Sequence, residues 1–208
     1  MKKIAAAAAL VFAIGAASPP ADPALLHPGK LAAKAPSRYG VAFKTTAGQF
    51  VVDVTRAWAP RGADRFYNLV RHGYYNGAAF FRVVPGFVVQ FGLSPSPAVN
   101  SAWNGAAIKD DKVAQSNRTG YLSFASSGPD SRTTQVFINL ADNARLDAMG
   151  FAPFGKIVSG MAAVRKIYAG YGESPDQGQI AAHGSAYLAK NFPALDRIVT
   201  AKIVPAAP

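Results

Sequence analysis

The sequence predicts a mainly β protein, a closed eight-stranded antiparallel β-barrel capped by two α-helices. Two observations lead to this prediction. About eight short runs of β-type residues follow one another, and two segments show the spacing of an amphipathic helix. Because most consecutive strands lack an intervening helix, an antiparallel barrel is favoured over a parallel βαβ sheet. The 19 glycines and 15 prolines supply the turns that such a chain needs.

The individual elements follow from local patterns. Pro60 suits the first turn of a helix over 60–72, where Phe66 and Leu69 fall at helical spacing. A second amphipathic helix is expected over 160–168. The strands are expected at 39–44, 49–54, 79–84, 87–92, 120–125, 135–140, 154–158 and 198–204.

The chain begins with Met1-Lys2-Lys3 and an uncharged, mostly apolar run to Ala17. That run is shorter than the roughly 20 apolar residues of a membrane span and fits a secretory signal peptide. We therefore expect an exported protein of the periplasm or cell envelope, with an uncleaved membrane anchor as the alternative. The expected organisation is a signal peptide at 1–17, a Pro/Ala-rich arm or linker at 18–38, and one domain at 39–205. Within it, 93–118 is turn-rich, and 169–194 is an insertion with a short helix at 186–190.

Composition limits the class of function. Half of the 208 residues are hydrophobic, so the chain can bury a sizeable core. The absence of cysteine excludes disulfides, thiolate metal sites and cysteine nucleophiles. The net charge of +11 would become +9 without Lys2 and Lys3, with 20 basic residues against 11 acidic ones. Such a charge suits a nucleic-acid partner, an anionic envelope surface, or simply a soluble basic protein.

Common catalytic devices are missing from the sequence. The three histidines, His27, His72 and His183, are scattered, and neither an HExxH pair nor a GxSxG elbow occurs. The carboxylates are few and dispersed. An enzyme built on this chain is therefore expected to work without a nucleophile, a metal or another cofactor.

Three segments carry a more specific pattern. Residues 80–90 read FFRVVPGFVVQ, residues 120–129 read GYLSFASSGP before TQVFI at 134–138, and RLD at 145–147 precedes FGKI at 154–157. On periodicity alone, the first segment would be a core hairpin with a solvated arginine. Together, and in this order, the segments resemble those of the cyclophilin-type peptidyl-prolyl cis-trans isomerases from about Tyr39 to Val204. The resemblance implies the same capped eight-stranded barrel.

The resemblance also implies roles for particular residues. Arg82 matches the catalytic arginine, and Gln90 would bond the substrate backbone and hold Arg82 in place. The proline pocket is implied to consist of Phe87, Val88, Phe137 and Leu146. The neighbouring groove for the peptide main chain is implied to consist of Ala125, Ser126, Ser127 and Gln135, with Ser126 standing where the family usually has Asn.

An arginine suits this reaction. Cis and trans isomers of an Xaa–Pro bond are close in energy, but a barrier of about 20 kcal/mol separates them because rotation breaks amide resonance. A fixed donor near the prolyl nitrogen stabilises the twisted amide more than the planar one, which is the condition for catalysis. The guanidinium is always charged and rigidly forked.

One residue departs from the family pattern in a way that affects ligand binding. Arg145 stands where the best-known eukaryotic members have Trp, so we expect weak cyclosporin binding.

Proline-containing polypeptides are the expected partners of a monomer without stable membrane insertion. One alternative is a non-catalytic module that binds proline peptides. Another is a basic adhesion or nucleic-acid protein, suggested by Arg56, Arg61, Arg65 and Arg71 but lacking any accompanying nucleic-acid motif.

Overall fold

The computed structural model describes residues 22–208, so the predicted signal peptide at 1–17 lies outside the described residues. The described part contains eight β-strands and four α-helices. In chain order these are β1 Arg38–Thr45, β2 Gly48–Thr55, α1 Pro60–Arg71, β3 Arg82–Val84, β4 Val88–Phe91, α2 Pro97–Trp103, β5 Tyr121–Phe124, β6 Val136–Asn139, β7 Pro153–Ser159, α3 Met161–Arg165, α4 Gln177–Asn191 and β8 Ile198–Val204. None of the helices in 22–208 has the length and apolar character needed to cross a membrane.

The eight strands form one antiparallel sheet in the order β3-β4-β6-β5-β7-β2-β1-β8. The mainly β, eight-stranded antiparallel prediction is therefore confirmed, but closure of the barrel is not. Within residues 22–208, β3 and β8 lie at the two edges of the sheet and form no ladder with each other. In residues 22–208 an isolated bridge between Ala79 and Arg197 and a few backbone hydrogen bonds around it connect the two sides. The sheet is an open, curled half-barrel, because the chain after Ala79 leaves the β8 side before β3 begins.

The main core packs the curled sheet against α1. The ring of Phe66 in α1 lies 4.9 Å from that of Phe154 in β7 and 6.4 Å from that of Phe43 in β1, measured between centroids. Burying large aromatic side chains accounts for much of the stability of such a core. The predicted helix at 60–72 is thus present and directs its apolar side inward, as the spacing indicated.

The turn between β3 and β4 follows from Pro85 and Gly86. Phe87 N donates to the carbonyl of Val84 at 3.0 Å, and Gly86 has φ +73°. A type II turn requires a positive φ at its third position, which glycine adopts without strain, and proline is common at its second position. This turn sets the pairing of β3 with β4.

Two helices were not predicted in their observed form. Helix α2 lies in the stretch read as turn-rich, and the short helix expected at 186–190 is the end of the 15-residue α4. Its buried positions, Ile180, Gly184 and Leu188, include a glycine, so the sequence shows no apolar stripe. Gly184 is a kink with φ 57°, and Ser185 N donates to the carbonyl of Pro95 beyond it, at 3.1 Å. Contacts with the start of α2 therefore shape α4.

The helix expected at 160–168 is also shorter than predicted, since α3 ends at Arg165. Ile167 N instead bonds to the carbonyl of Val164 three residues earlier, and Tyr168 N donates to the carboxylate of Asp196 at 2.8 Å. These bonds tighten the chain after Arg165 and draw it out of the α-helical path.

The described part of the Pro/Ala-rich arm, residues 22–37, packs against the domain. Leu25 belongs to the main core, and its carbonyl accepts a hydrogen bond from Trp103 Nε1 at 2.8 Å. The amide of Asn68 bonds both backbone groups of Ala33, at 3.1 and 2.7 Å. Helices α1 and α2 thus order this part of the arm.

The arm is expected to contribute to stability. Replacing Leu25, which is 1% exposed, with Ala should lower the free energy of unfolding by about 2–4 kcal/mol, because it removes buried methyl groups and leaves a cavity. Leu26 is 46% exposed, so Leu26→Ala is the matched control and should change stability by less than about 0.5 kcal/mol. Urea unfolding measures both, and equal effects of the two variants would contradict the packing role.

Candidate active site

A cross-strand row of side chains forms the base of the candidate site. The strand register pairs Arg82 of β3 with Gln90 of β4, and Gln90 with Phe137 of β6. Paired residues of neighbouring strands share a face of the sheet. Because side chains alternate along β4, Val89 and Phe91 enter the main core while Gln90 faces the other side.

A groove of about 480 Å³ lies over this row. The structure brings together all ten residues that the sequence singled out, since the groove is lined by Arg82, Phe87, Val88, Gln90, Ala125, Ser126, Ser127, Gln135, Phe137 and Leu146. It is also lined by Asn104, Ser131, Thr133, Phe151 and Gln177, which the sequence reasoning missed. This volume lies within the range of ligand-binding clefts.

One part of the groove is apolar. Val88, Phe137 and Leu146 form a small cluster of their own, separate from the main core, and each is at most 5% exposed. Phe87 and Phe151 pack at its edge, and the rings of Phe151 and Phe137 meet edge-to-face at 5.6 Å. The cluster provides an apolar surface of the kind that a proline ring could cover.

The polar part of the groove is centred on Arg82. Its Nη1 donates to Gln90 Oε1 at 3.2 Å, and Gln90 Nε2 donates to Gln135 Oε1 at 2.7 Å. On the other side, Arg82 Nε donates to Glu173 Oε1 at 2.5 Å. The guanidinium carbon lies 5.7 Å from the centroid of the Phe87 ring, next to the apolar cluster. The guanidinium, held by these hydrogen bonds, therefore places a cationic donor next to the apolar pocket.

The loop after β5 forms the far wall. Ser131 Oγ accepts from Ser127 N at 2.9 Å and donates to the carbonyl of Gly128 at 2.7 Å. At its base, Ala125 N donates to the carbonyl of Gln135 at 2.9 Å. These local bonds fix the backbone of the loop alongside the groove.

Comparison with known proteins identifies the family. The family model described as cyclophilin type peptidyl-prolyl cis-trans isomerase/CLD matches residues 40–183. The chain belongs to this family. It is 38% identical over 141 residues to a peptidyl-prolyl cis-trans isomerase of Acinetobacter baylyi, covering 61% of this chain and 70% of that one. It is 39% identical over 132 residues to peptidyl-prolyl cis-trans isomerase A of Dickeya dadantii, with the same coverage.

The fold agrees with the family. A cyclophilin-type isomerase of Cryptosporidium parvum superposes with a TM-score of 0.60 at 22% identity, covering 82% of this chain and 99% of that one. A second structure of that protein, determined in the presence of the dipeptide Ala-Pro, has a TM-score of 0.58, also at 22% identity, and covers 81% of this chain and 99% of that one.

A buried polar network holds the cyclophilin groove from behind. Asp147 Oδ1 accepts from both the backbone N and the side-chain Nδ2 of Asn117, at 2.9 and 2.7 Å, and Ser116 Oγ donates to Oδ2 at 2.5 Å. Asn117 Nδ2 also donates to the carbonyl of Phe151 at 2.8 Å. The network therefore fixes the loop that carries Leu146 and Phe151.

The network shifts the ionisation of Asp147. Burial alone would raise its pKa, but hydrogen bonds from Ser116 and Asn117 outweigh burial, and the pKa of Asp147 lies below its ordinary value. Because the pKa is lower in the folded state, the stabilisation from this carboxylate is present above about pH 4. It is lost as pH falls through the folded-state pKa.

The arginines that suggested a nucleic-acid surface have partners within the chain. Burial lowers the pKa of Arg65. The partners are the Asp64 carboxylate for Arg56 (2.7 Å), the Asp110 carbonyl for Arg61 (3.1 Å), the Ala106 carbonyl for Arg65 (2.6 Å) and the Tyr67 ring for Arg71 (5.3 Å). This arrangement does not favour a phosphate-binding surface.

The groove residues that sequence reasoning missed differ in how visible they were. Phe151 follows Leu146 in the same loop. An aromatic residue this close in sequence to a predicted pocket residue indicates a further pocket residue. Glu173 and Gln177 belong to the insertion, and no local pattern indicates that it folds back on Arg82.

Asp147→Ala is expected to weaken both the fold and peptide binding. Loss of three hydrogen bonds to a partly buried carboxylate should lower the free energy of unfolding by about 1–3 kcal/mol. It should also raise the Kd for a proline peptide, since Leu146 and Phe151 lose their fixed loop. The control is Asp142→Ala, whose exposed carboxylate accepts from Thr119 at 2.8 Å outside the groove. Urea unfolding and peptide titration measure the two effects; an unchanged Kd for Asp147→Ala would contradict the link.

Proposed function

We propose that this cyclophilin-type chain accelerates rotation about Xaa–Pro bonds with Arg82 as its catalytic residue. The observation that supports the proposal is the position of Arg82 between Gln90 and the apolar cluster. A proline ring on Val88, Phe137 and Leu146 would bring the prolyl nitrogen toward the guanidinium. A structure of the Cryptosporidium parvum relative was determined in the presence of the dipeptide Ala-Pro, the kind of ligand proposed here.

The proposed mechanism is differential stabilisation of the twisted amide. When the amide twists, conjugation is lost and the prolyl nitrogen regains its lone pair, so a donor in fixed position binds the twisted form more strongly. The guanidinium has donors left for the substrate, because it carries five N–H groups. Each tenfold acceleration corresponds to about 1.4 kcal/mol of such differential binding.

The polar wall is proposed to hold the peptide main chain. Ala125, Ser126 and Ser127 lie on a loop that the hydroxyl of Ser131 holds by two hydrogen bonds. Their backbone groups are therefore fixed before the substrate binds. Gln90 is 6% exposed and bonds both Arg82 and Gln135, which suits it to link the catalytic arginine with this wall.

The assignment of Arg82 is tested by an isomerisation assay on a proline peptide. We expect Arg82→Ala to lower kcat/KM by about 10- to 100-fold, the effect of losing one charge-assisted hydrogen bond. Arg82→Lys keeps the charge but loses the planar, forked arrangement of donors, so it should be more active than Arg82→Ala and less active than the wild-type protein. Arg165→Ala, which removes an exposed arginine outside the groove, is the control.

Two outcomes separate the candidate functions. Equal rates for the wild-type protein and Arg82→Ala would reject the role of Arg82. Peptide binding without any acceleration by the wild-type protein would establish the alternative of a non-catalytic module that binds proline peptides.

We also propose that the protein acts in the cell envelope. The cationic start and short apolar run over residues 1–17 support export. The expected result is that the full chain, expressed in its host, is recovered from the envelope fraction with a new N-terminus near residue 18. Recovery of the unprocessed chain from the cytoplasm would contradict this proposal.

Weak cyclosporin binding and a monomeric state remain predictions of the sequence. Arg145 supports the first, since it stands in the sequence where the best-known eukaryotic members have Trp, and its guanidinium carbon lies 4.6 Å from the centroid of the Phe87 ring. Calorimetric titration with cyclosporin and light scattering of the purified protein test the two.

A further inference from the structure

The insertion at 169–194 is an ordered element that packs against the rest of the domain. Its residues Ile180 and Leu188 form a second hydrophobic core with Leu195 and with Phe81, the residue immediately before Arg82. Asp176 caps the start of α4 by accepting from Gln179 N at 2.7 Å. A capped helix with its own apolar contacts is held in a defined position beside β3.

The turn before α4 is tied to the catalytic strand. The carbonyl of Gly172 accepts a hydrogen bond from Val83 N at 3.1 Å. Tyr171, the residue before it, packs edge-to-face against Phe192 at 5.1 Å between centroids. The backbone that carries Glu173 is therefore anchored both to β3 and to the end of α4.

Glu173, the only glutamate in the sequence, contacts Arg82. Its Oε1 lies 2.5 Å from both Nε and Nη2 of the guanidinium, while Gln90 bonds Nη1 on the opposite side. A planar guanidinium held at two edges has a fixed orientation, and the remaining donors on Nη1 and Nη2 stay available to the substrate.

We infer that Glu173 is a positioning residue for the isomerase reaction and acts by holding the guanidinium of Arg82 in its productive orientation. This inference rests on the proposed function of Arg82. Nearby, Gln177 of α4 adds to the groove wall, so the insertion supplies both an anchor for the catalytic arginine and a part of the groove surface.

The expected effect of removing the anchor is moderate. The Glu173 side chain is 61% exposed, and water weakens an ion pair of that kind. Glu173→Ala should therefore lower kcat/KM by about two- to fivefold. Glu173→Gln keeps an oxygen that can accept from Nε but loses the charge, so it should retain more activity than Glu173→Ala. Because the residue acts through Arg82, Glu173→Ala should have no further effect in the Arg82→Ala background.

The matched control lies three residues away. Asp176→Ala removes the cap of α4 without removing a contact to Arg82, so it should lower stability and leave kcat/KM unchanged. A loss of activity in Asp176→Ala equal to that in Glu173→Ala would mean that only the integrity of the insertion matters, which would overturn the inference.

A spectroscopic measurement tests the contact independently of activity. The Nε–H resonance of Arg82, assigned by its loss in Arg82→Lys, should exchange slowly with water in the wild-type protein. It should exchange faster and shift in Glu173→Ala, and it should be unaffected in Asp176→Ala.

The outcomes separate this inference from the proposed function. If Arg82→Ala is slow and Glu173→Ala matches or exceeds the wild-type rate, only the inference fails. A loss caused by Glu173→Ala that persists in the Arg82→Ala background would show direct contact with the substrate and would also overturn it. If Arg82→Ala is as fast as wild type, the proposed function of Arg82 fails, and the positioning role fails with it.

Discussion

The register of β4 between β3 and β6 is the constraint on which the rest of the structure depends. Side chains alternate across a strand, so this register sends one set of apolar residues into the core and aligns Arg82, Gln90 and Phe137 along the groove. A slip of β4 by one residue would turn Gln90 into the core and would turn Val89 and Phe91 out of it. The type II turn at Gly86 fixes the β3 side of this arrangement, so core packing and site geometry are specified together.

The groove is rigid because its walls are held by polar groups behind it. Asp147 and Asn117 fix the loop of Leu146 and Phe151, while Ser131 fixes the loop on the other side. A buried polar network favours one arrangement strongly, since any alternative leaves donors or acceptors without partners. The same contacts that stabilise these loops therefore also define the shape of the pocket.

Sequence reasoning predicted the parts of this protein whose patterns are local. The strands and α1 followed from residue spacing, and the groove residues followed from family strings that keep their order along the chain. The predicted closure of the barrel was not confirmed. Pairing of β3 with β8 depends on where the chain turns after Ala79, and the hydrophobic periodicity of the sequence does not encode that turn. Helix α4 was underestimated because Gly184 occupies a buried position of its inner face. Glu173 was missed because its contact with Arg82 arises from tertiary placement, whereas Phe151 was missed although it lies close to Leu146 in the sequence.

The insertion changes how Arg82, the proposed catalytic residue, should be understood. A single hydrogen-bond donor accelerates a reaction most when it does not have to reorganise as the transition state forms. In the common part of the fold, Gln90 restrains only one edge of the guanidinium, and an arginine side chain has enough rotatable bonds to swing into water. Here the second core anchors the turn that brings a carboxylate to the opposite edge. The carboxylate of Glu173 thereby limits the motion of Arg82, so the insertion and the proposed reaction are linked through one side chain.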